Sequence, residues 1–167
     1  GGRYRAVIAG SSSAGSTVDW WLRHESGGST ADALFTGVLA CGDGPTGVIV
    51  LPYLAGRQAP EPDPGARLRV LGRGPAHGPT ELAKAMLEGL CLQTRWMLAE
   101  QSRLAGHREP PTVYLFGAAV PANPAWVRIK ARVLPGSLRV VRAGEPVAAG
   151  AAILAAARAG LTGPDVP

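Results

Sequence analysis

The chain has 167 residues, 46% of them hydrophobic and 17% charged, which suits one folded domain with a real core and excludes an intrinsically disordered chain. It has no run of about 18 apolar residues, so no stretch reads as a membrane span. The net charge of +5 raises the question of nucleic acid, but the arginines are scattered and no helix-turn-helix, RNP or zinc-finger pattern accompanies them. Solvated arginine is the better account.

The elements follow in chain order. Tyr4 to Ala9 is β-prone and predicts a strand. Ser11 to Ser16 supplies cap residues ahead of an amphipathic helix that begins around Val18-Asp-Trp-Trp-Leu22. Ser29-Thr-Ala-Asp32 opens a second helix that carries Ala33, Leu34, Val38 and Leu39 toward a core, and Gly42 to Pro45 breaks it. Gly47 to Tyr53 is a strand, and a proline-rich surface loop follows it. The longest helix runs from about Thr80 to Leu104. Thr80 is its cap, Leu82, Ala85, Met86, Leu90, Met97 and Leu104 form its apolar side, and Gly106 stops it. Thr112 to Phe116 is a strand, Pro124 to Leu134 a helix, Leu138 to Val141 a strand and Pro146 to Ala159 a helix. This alternation predicts an α/β domain, a mixed sheet flanked by helices, over residues 1–161, with 162–167 a loose tail. The start at Gly1-Gly2-Arg3, without Met, suggests a piece of a longer polypeptide.

Cys41 and Cys91 have neither a CxxC spacing nor a histidine pair nearby, and predict buried thiols of a reducing, cytoplasmic compartment rather than a metal site. His24, His77 and His107 are isolated, so no catalytic triad is expected. Glu88, mid-helix, reads as a structural acceptor. An ion pair of Asp63 with Arg57 or Arg67 is the plain expectation for the proline-rich loop.

Five segments carry a resemblance. They are Ala14-Gly-Ser-Thr-Val-Asp-Trp20; Leu51-Pro-Tyr-Leu-Ala-Gly-Arg-Gln-Ala-Pro60 with Asp63-Pro-Gly-Ala-Arg67; Glu81-Leu-Ala-Lys-Ala-Met-Leu-Glu-Gly89 with Gln93-Thr94-Arg95; Gly117-Ala-Ala-Val-Pro-Ala-Asn-Pro-Ala-Trp126; and Pro146-Val-Ala-Ala-Gly-Ala-Ala-Ile-Leu-Ala155. In order and separation they resemble the C-terminal domain of FGGY-type carbohydrate kinases, with a loop of the xylulokinase type. The resemblance implies the ribonuclease-H-like fold of the actin-type ATPases. It also implies a two-domain enzyme that moves the γ-phosphate of ATP, with Mg²⁺, to a hydroxyl of a sugar or polyol.

The catalytic aspartate, the sugar pocket and a phosphate-gripping hairpin would lie outside this sequence, so no catalytic residue and no metal ligand is assigned here. By resemblance to glycerol-kinase-like members, Gly15 and Asp19 would lie near ribose and phosphates, while Gly117, Ala118, Ala119 and Asn123 would hold adenine. A glycine at a helix start lets phosphate approach bare backbone N–H groups. The family's glycine run is reduced here to Gly117-Ala118-Ala119, and those methyl groups would narrow the adenine shelf. A non-catalytic binding or regulatory domain derived from the same fold is therefore the alternative. The expected partners are ATP or ADP and, through the other domain, a sugar or polyol. No nucleic acid and no membrane are expected, and a homodimer of the parent is left open.

Overall fold

In the computed structural model, residues 6–117, 123–142 and 145–161 are described. The first helix, α1 (Gly15–His24), begins three residues before the expected Val18 and has no side-chain cap at Ala14. Its start is held instead by burial of the next turn. Thr17 is fully buried and its Oγ1 donates to the Pro52 carbonyl at 3.2 Å, while Val18 and Trp21 enter the core. Residues 6–9 carry no regular structure, so the expected first strand does not form there; Tyr4 lies outside the described residues.

The second helix, α2 (Ala31–Ala40), opens as expected, with the Thr30 side chain accepting from the Ala33 N–H. Leu34, Phe35 and Val38 are its buried residues. Ala33 is exposed, because the i, i+3, i+4 stripe runs through Leu34 and Val38 and leaves position 33 on the outer face.

Strand β1 (Ile49–Leu51) pairs antiparallel with β2 (Arg69–Leu71), Val50 opposite Val70. No strand was expected over 69–71, where a short segment with an exposed arginine has little β signature of its own; the pairing with β1 makes it one. The loop between the strands is closed by two backbone hydrogen bonds of 2.8 Å that join Arg57 and Asp63 in both directions. The expected ion pair does not form. The Asp63 carboxylate accepts from the Gly65 N–H, and Arg67 donates to the Pro64 and Ala66 carbonyls. The Arg57 guanidinium stacks over Trp96 at 4.9 Å and over Tyr53 at 5.6 Å. Short side chains that cap their own turn leave the guanidinium groups free for rings and carbonyls.

Helix α3 (Pro79–Ala105) spans 27 residues, about 40 Å, and forms the spine of the domain. Its cap is Gly78 rather than Thr80. The Glu81 carboxylate reaches back to the Gly78 N–H at 3.0 Å, which is the half of a capping box that a residue without a side chain permits. Gly106 ends it in the left-handed region, with φ of 73°. Leu82, Ala85, Met86 and Leu90 are buried as expected, whereas Leu104 is 63% exposed, since the last turns run past the core.

Strands β3 (Thr112–Leu115) and β4 (Ser137–Val140) pair in parallel, Val113 opposite Leu138. Helix α4 (Pro124–Val133) connects them, which makes a βαβ unit. Both pairing senses of a mixed sheet are present, carried by two separate two-stranded pieces. The core is one cluster, drawn from α1, α2, β1, α3 and α4. The last helix, α5 (Pro146–Arg158), buries none of its residues. Apolar side chains such as Tyr114, Phe116, Val147 and Leu154 remain exposed on β3, just beyond it, and on α5. Among the described residues no helix is long and apolar enough to cross a membrane.

Candidate functional site

Ligands of α/β folds gather beyond the carboxyl ends of parallel strands, where helix starts turn their N–H groups toward the crevice. A cavity of about 330 Å³ lies at that end of β3. The segment Ser11–Ala14, just before α1, forms one wall. The middle of α3 forms the floor with Leu90, Gln93, Thr94 and Met97. Leu115 and Phe116 close the strand side, and the first turns of α4 contribute Asn123, Trp126, Val127 and Lys130. The walls are mostly apolar, with a few polar groups, the composition suited to a small organic ring.

Asn123, one of the expected site residues, lines this cavity and is 6% exposed. Its Oδ1 accepts from the Trp126 N–H at 2.9 Å and so caps α4, which leaves the Nδ2 donor as its contribution to a ligand. Gly117 follows Phe116 with φ of 109°, a conformation that favours glycine, and a Cβ added there would meet nothing within 4 Å. Its glycine is thus a backbone requirement rather than a relief of crowding.

Gly15 is the first residue of α1, adjacent to the lining residue Ala14, and is likewise open around its Cα. Asp19 is not brought into this cavity. It is exposed on the outer side of α1, in a shallow depression with Leu22 and Arg23, because the opposite side of the helix buries Thr17, Val18 and Trp21. Ala118 and Ala119 lie outside the described residues.

Sequence reasoning passed over the floor. Gln93 is 5% exposed and its Nε2 has no hydrogen-bond partner. A buried N–H left without an acceptor costs about 1–3 kcal/mol, so such groups are few in native proteins. The signal was present in the chain: Gln93 falls seven residues after Met86 and three after Leu90, in the buried phase of α3, where a polar side chain is out of place.

Lys130 adds a second polar group, its Nζ lying 5.1 Å from the Trp126 ring centre and 3.4 Å from Thr94 Oγ1. Burial holds its amine below the usual lysine range, against the opposing influence of Cys91. Burial likewise pushes the Cys91 thiol up to about 11, so it stays protonated and unreactive.

A second cavity, about 310 Å³, lies between the end of α2, the Gly42–Pro45 turn, α3 and α4. Asp43 there receives both Arg128, at 2.7 Å, and Arg132, at 2.6 Å, on one carboxylate oxygen. The Lys84 ammonium, 3% exposed, donates to the Gly42 and Gly44 carbonyls and ties the turn to α3. Arg128 and Arg132 are thus engaged by a partner distant in sequence rather than left solvated.

Glu88 also lines this cavity, and burial pushes its carboxyl above the ordinary value of 4.5, outweighing the pull of Lys84 and Arg132. A carboxyl whose folded value is raised loses stability as pH climbs from the unfolded toward the folded value. Glu88→Gln should therefore be more stable than the parent at pH 7, with the gain fading as pH falls below 4.5. Chemical denaturation at the two pH values checks this. An equal difference at both would show that the charge of Glu88 is not the cause.

Residues 1–159 match the C-terminal domain of the FGGY family of carbohydrate kinases. The chain belongs to that family. Curated FGGY relatives include xylulose kinase of Bacillus subtilis, 29% identical over 143 residues, 86% of this chain and 28% of that protein. Glycerol kinase of Allorhizobium ampelinum is 35% identical over 131 residues, 78% of this chain and 26% of that one. The chain thus spans little more than a quarter of the length of these relatives. Among solved structures, glycerol kinase of Plasmodium falciparum with ADP superposes with a TM-score of 0.78 at 21% identity, over 89% of this chain and 29% of that one. The fold is therefore the ribonuclease-H-like, actin-type ATPase fold of the FGGY kinases, as the resemblance implied.

Proposed function

We propose that this chain is the nucleotide-binding half of an ATP-dependent carbohydrate kinase, in which the γ-phosphate of ATP passes to a hydroxyl of a sugar or polyol. The observation that carries the reading is the cavity at the carboxyl end of β3. Its apolar walls, with Phe116 and Trp126, the unpartnered Gln93 amide donor and the Asn123 amide at the start of α4, fit a purine ring. A solved neighbour, the Plasmodium falciparum glycerol kinase, holds ADP.

In this reading the base enters between β3 and the start of α4, and the phosphates run past the start of α1, toward Gly15. Backbone N–H groups there offer donors with no side-chain cap competing for them. Mg²⁺ would ride on the nucleotide phosphates, where it neutralises developing charge during phosphoryl transfer. Residues of this chain bind and orient the nucleotide and exclude water from its base. The proton of the sugar hydroxyl and the pocket for the sugar belong to the other domain of the enzyme, and residues 1–161 act as one unit facing it.

Titration of the chain with ATP tests this. Affinity should be weak, on the order of millimolar, since about half the enclosing surface belongs to the other domain. The chain alone should phosphorylate no sugar. Gly117→Val should weaken binding further, by straining the backbone where the base is held. Absence of any ATP binding would remove the site and leave a non-catalytic domain of the same fold as the better reading. The Gly117-Ala118-Ala119 departure already points in that direction.

A further inference from the structure

The expected nucleotide contacts all come from helix starts and the loop after β3. The floor of the cavity is a different element, the middle of α3, and the polar side chain that α3 buries there without a partner is Gln93. Its neighbours along the floor are Leu90, Thr94 and Met97, none of which carries a charge. The Lys130 ammonium stands on the α4 wall, committed to Thr94 Oγ1 and the face of Trp126. A neutral amide donor among apolar walls is poorly matched to phosphate, which is served by charge and by helix N-termini. It is well matched to the in-plane nitrogen acceptor of an aromatic base, because an amide N–H and a ring nitrogen meet edge to edge while apolar walls can cover the ring faces.

We infer that Gln93 is the base-reading residue of this cavity, donating its Nε2–H to a ring nitrogen of a bound purine; this rests on the proposal that the cavity is the nucleotide site. Asn123, which lines the same cavity at the start of α4, would offer its Nδ2 to the same ring. The two amides together favour a base that offers acceptors on two edges, as a purine does through its imidazole and pyrimidine nitrogens. Gln93 is a binding and specificity residue here and takes no part in the transfer chemistry.

The test follows the side-chain amide signals of the ¹⁵N-labelled chain by NMR, which reports contacts even at millimolar affinity. The Gln93 pair is identified by its loss in Gln93→Met, and the Asn123 pair by its loss in Asn123→Asp; Gln93→Leu serves if the methionine variant does not fold. ADP should move both pairs. Tripolyphosphate, which has no base, should leave Gln93 unmoved. Gln93→Met should bind ADP about fivefold to tenfold more weakly, while melting no lower than the parent, since it removes an amide that has no partner in the folded chain.

If ADP moves Asn123 but not Gln93, the inference is overturned and the nucleotide site stands. If it moves neither, both fall. If tripolyphosphate moves Gln93 as far as ADP does, the residue reads phosphate and its assignment to the base is wrong. A melting temperature lowered in Gln93→Met, with ADP affinity unchanged, would make Gln93 a structural residue.

Discussion

Gly89→Ala should remove roughly 3 kcal/mol of stability, on the scale of overpacked cores, and lower the melting temperature by about 6–12 °C for a domain of this size. Gly89 lies on the side of α3 that faces β1, and a Cβ placed there would stand 2.2 Å from the Val50 carbonyl oxygen. The obstacle is backbone, not the end of a flexible side chain, so helix and strand must separate. Val50 is 2% exposed and belongs to the core that the two elements share. The better helix propensity of alanine, about 1 kcal/mol, works in the opposite direction and is too small to cancel the clash. Gly150→Ala, in the unburied α5, is the control. Nothing lies within 4 Å of a Cβ at Gly150, so the same substitution there should stabilise slightly. Thermal melts of the two variants should move in opposite directions. If both rise, α3 and β1 are not in the contact described.

Trp21→Ala should cost about 3–5 kcal/mol, the range for deleting a large aromatic from a core. Trp21 is fully buried in α1 and joins the cluster with Val18, Leu34, Met86 and Leu87. Its truncation opens a cavity between elements that rigid helices cannot close. Trp21→Phe isolates the packing term. The Trp21 Nε1 has no hydrogen-bond partner, so replacing the indole with a benzene ring removes an unpaired donor as well as volume. The phenylalanine variant should therefore lose much less than the alanine one. Urea unfolding should show the midpoint falling in the order parent, Trp21→Phe, Trp21→Ala at constant slope. A phenylalanine variant as unstable as the alanine one would mean that the indole N–H is satisfied in solution.

Most element ends were legible in the chain because local chemistry decides them. Thr30 caps α2, Gly106 closes α3 and Pro124 opens α4 behind Asn123, each at or within a residue or two of its expected place. The alternation of strands and helices, and the five segments in family order, likewise led to the fold and the family without any tertiary contact. Asn123 was expected near a base from the resemblance of its segment, and as the cap of α4 it lines the cavity.

What only tertiary structure decided were features whose partners are distant in sequence. Strand β2 exists because β1 offers it a ladder. Asp19 fell outside the cavity because the phase of α1 is set by burying Thr17 and Trp21, not by a ligand. Gln93 entered the site because α3 passes under two helix starts that sequence order keeps far apart. Caps and turns satisfy hydrogen bonds within a few residues, so the local chain specifies them. A cavity floor and a helix phase are chosen by the surface each element must bury, and that surface does not exist until the elements meet.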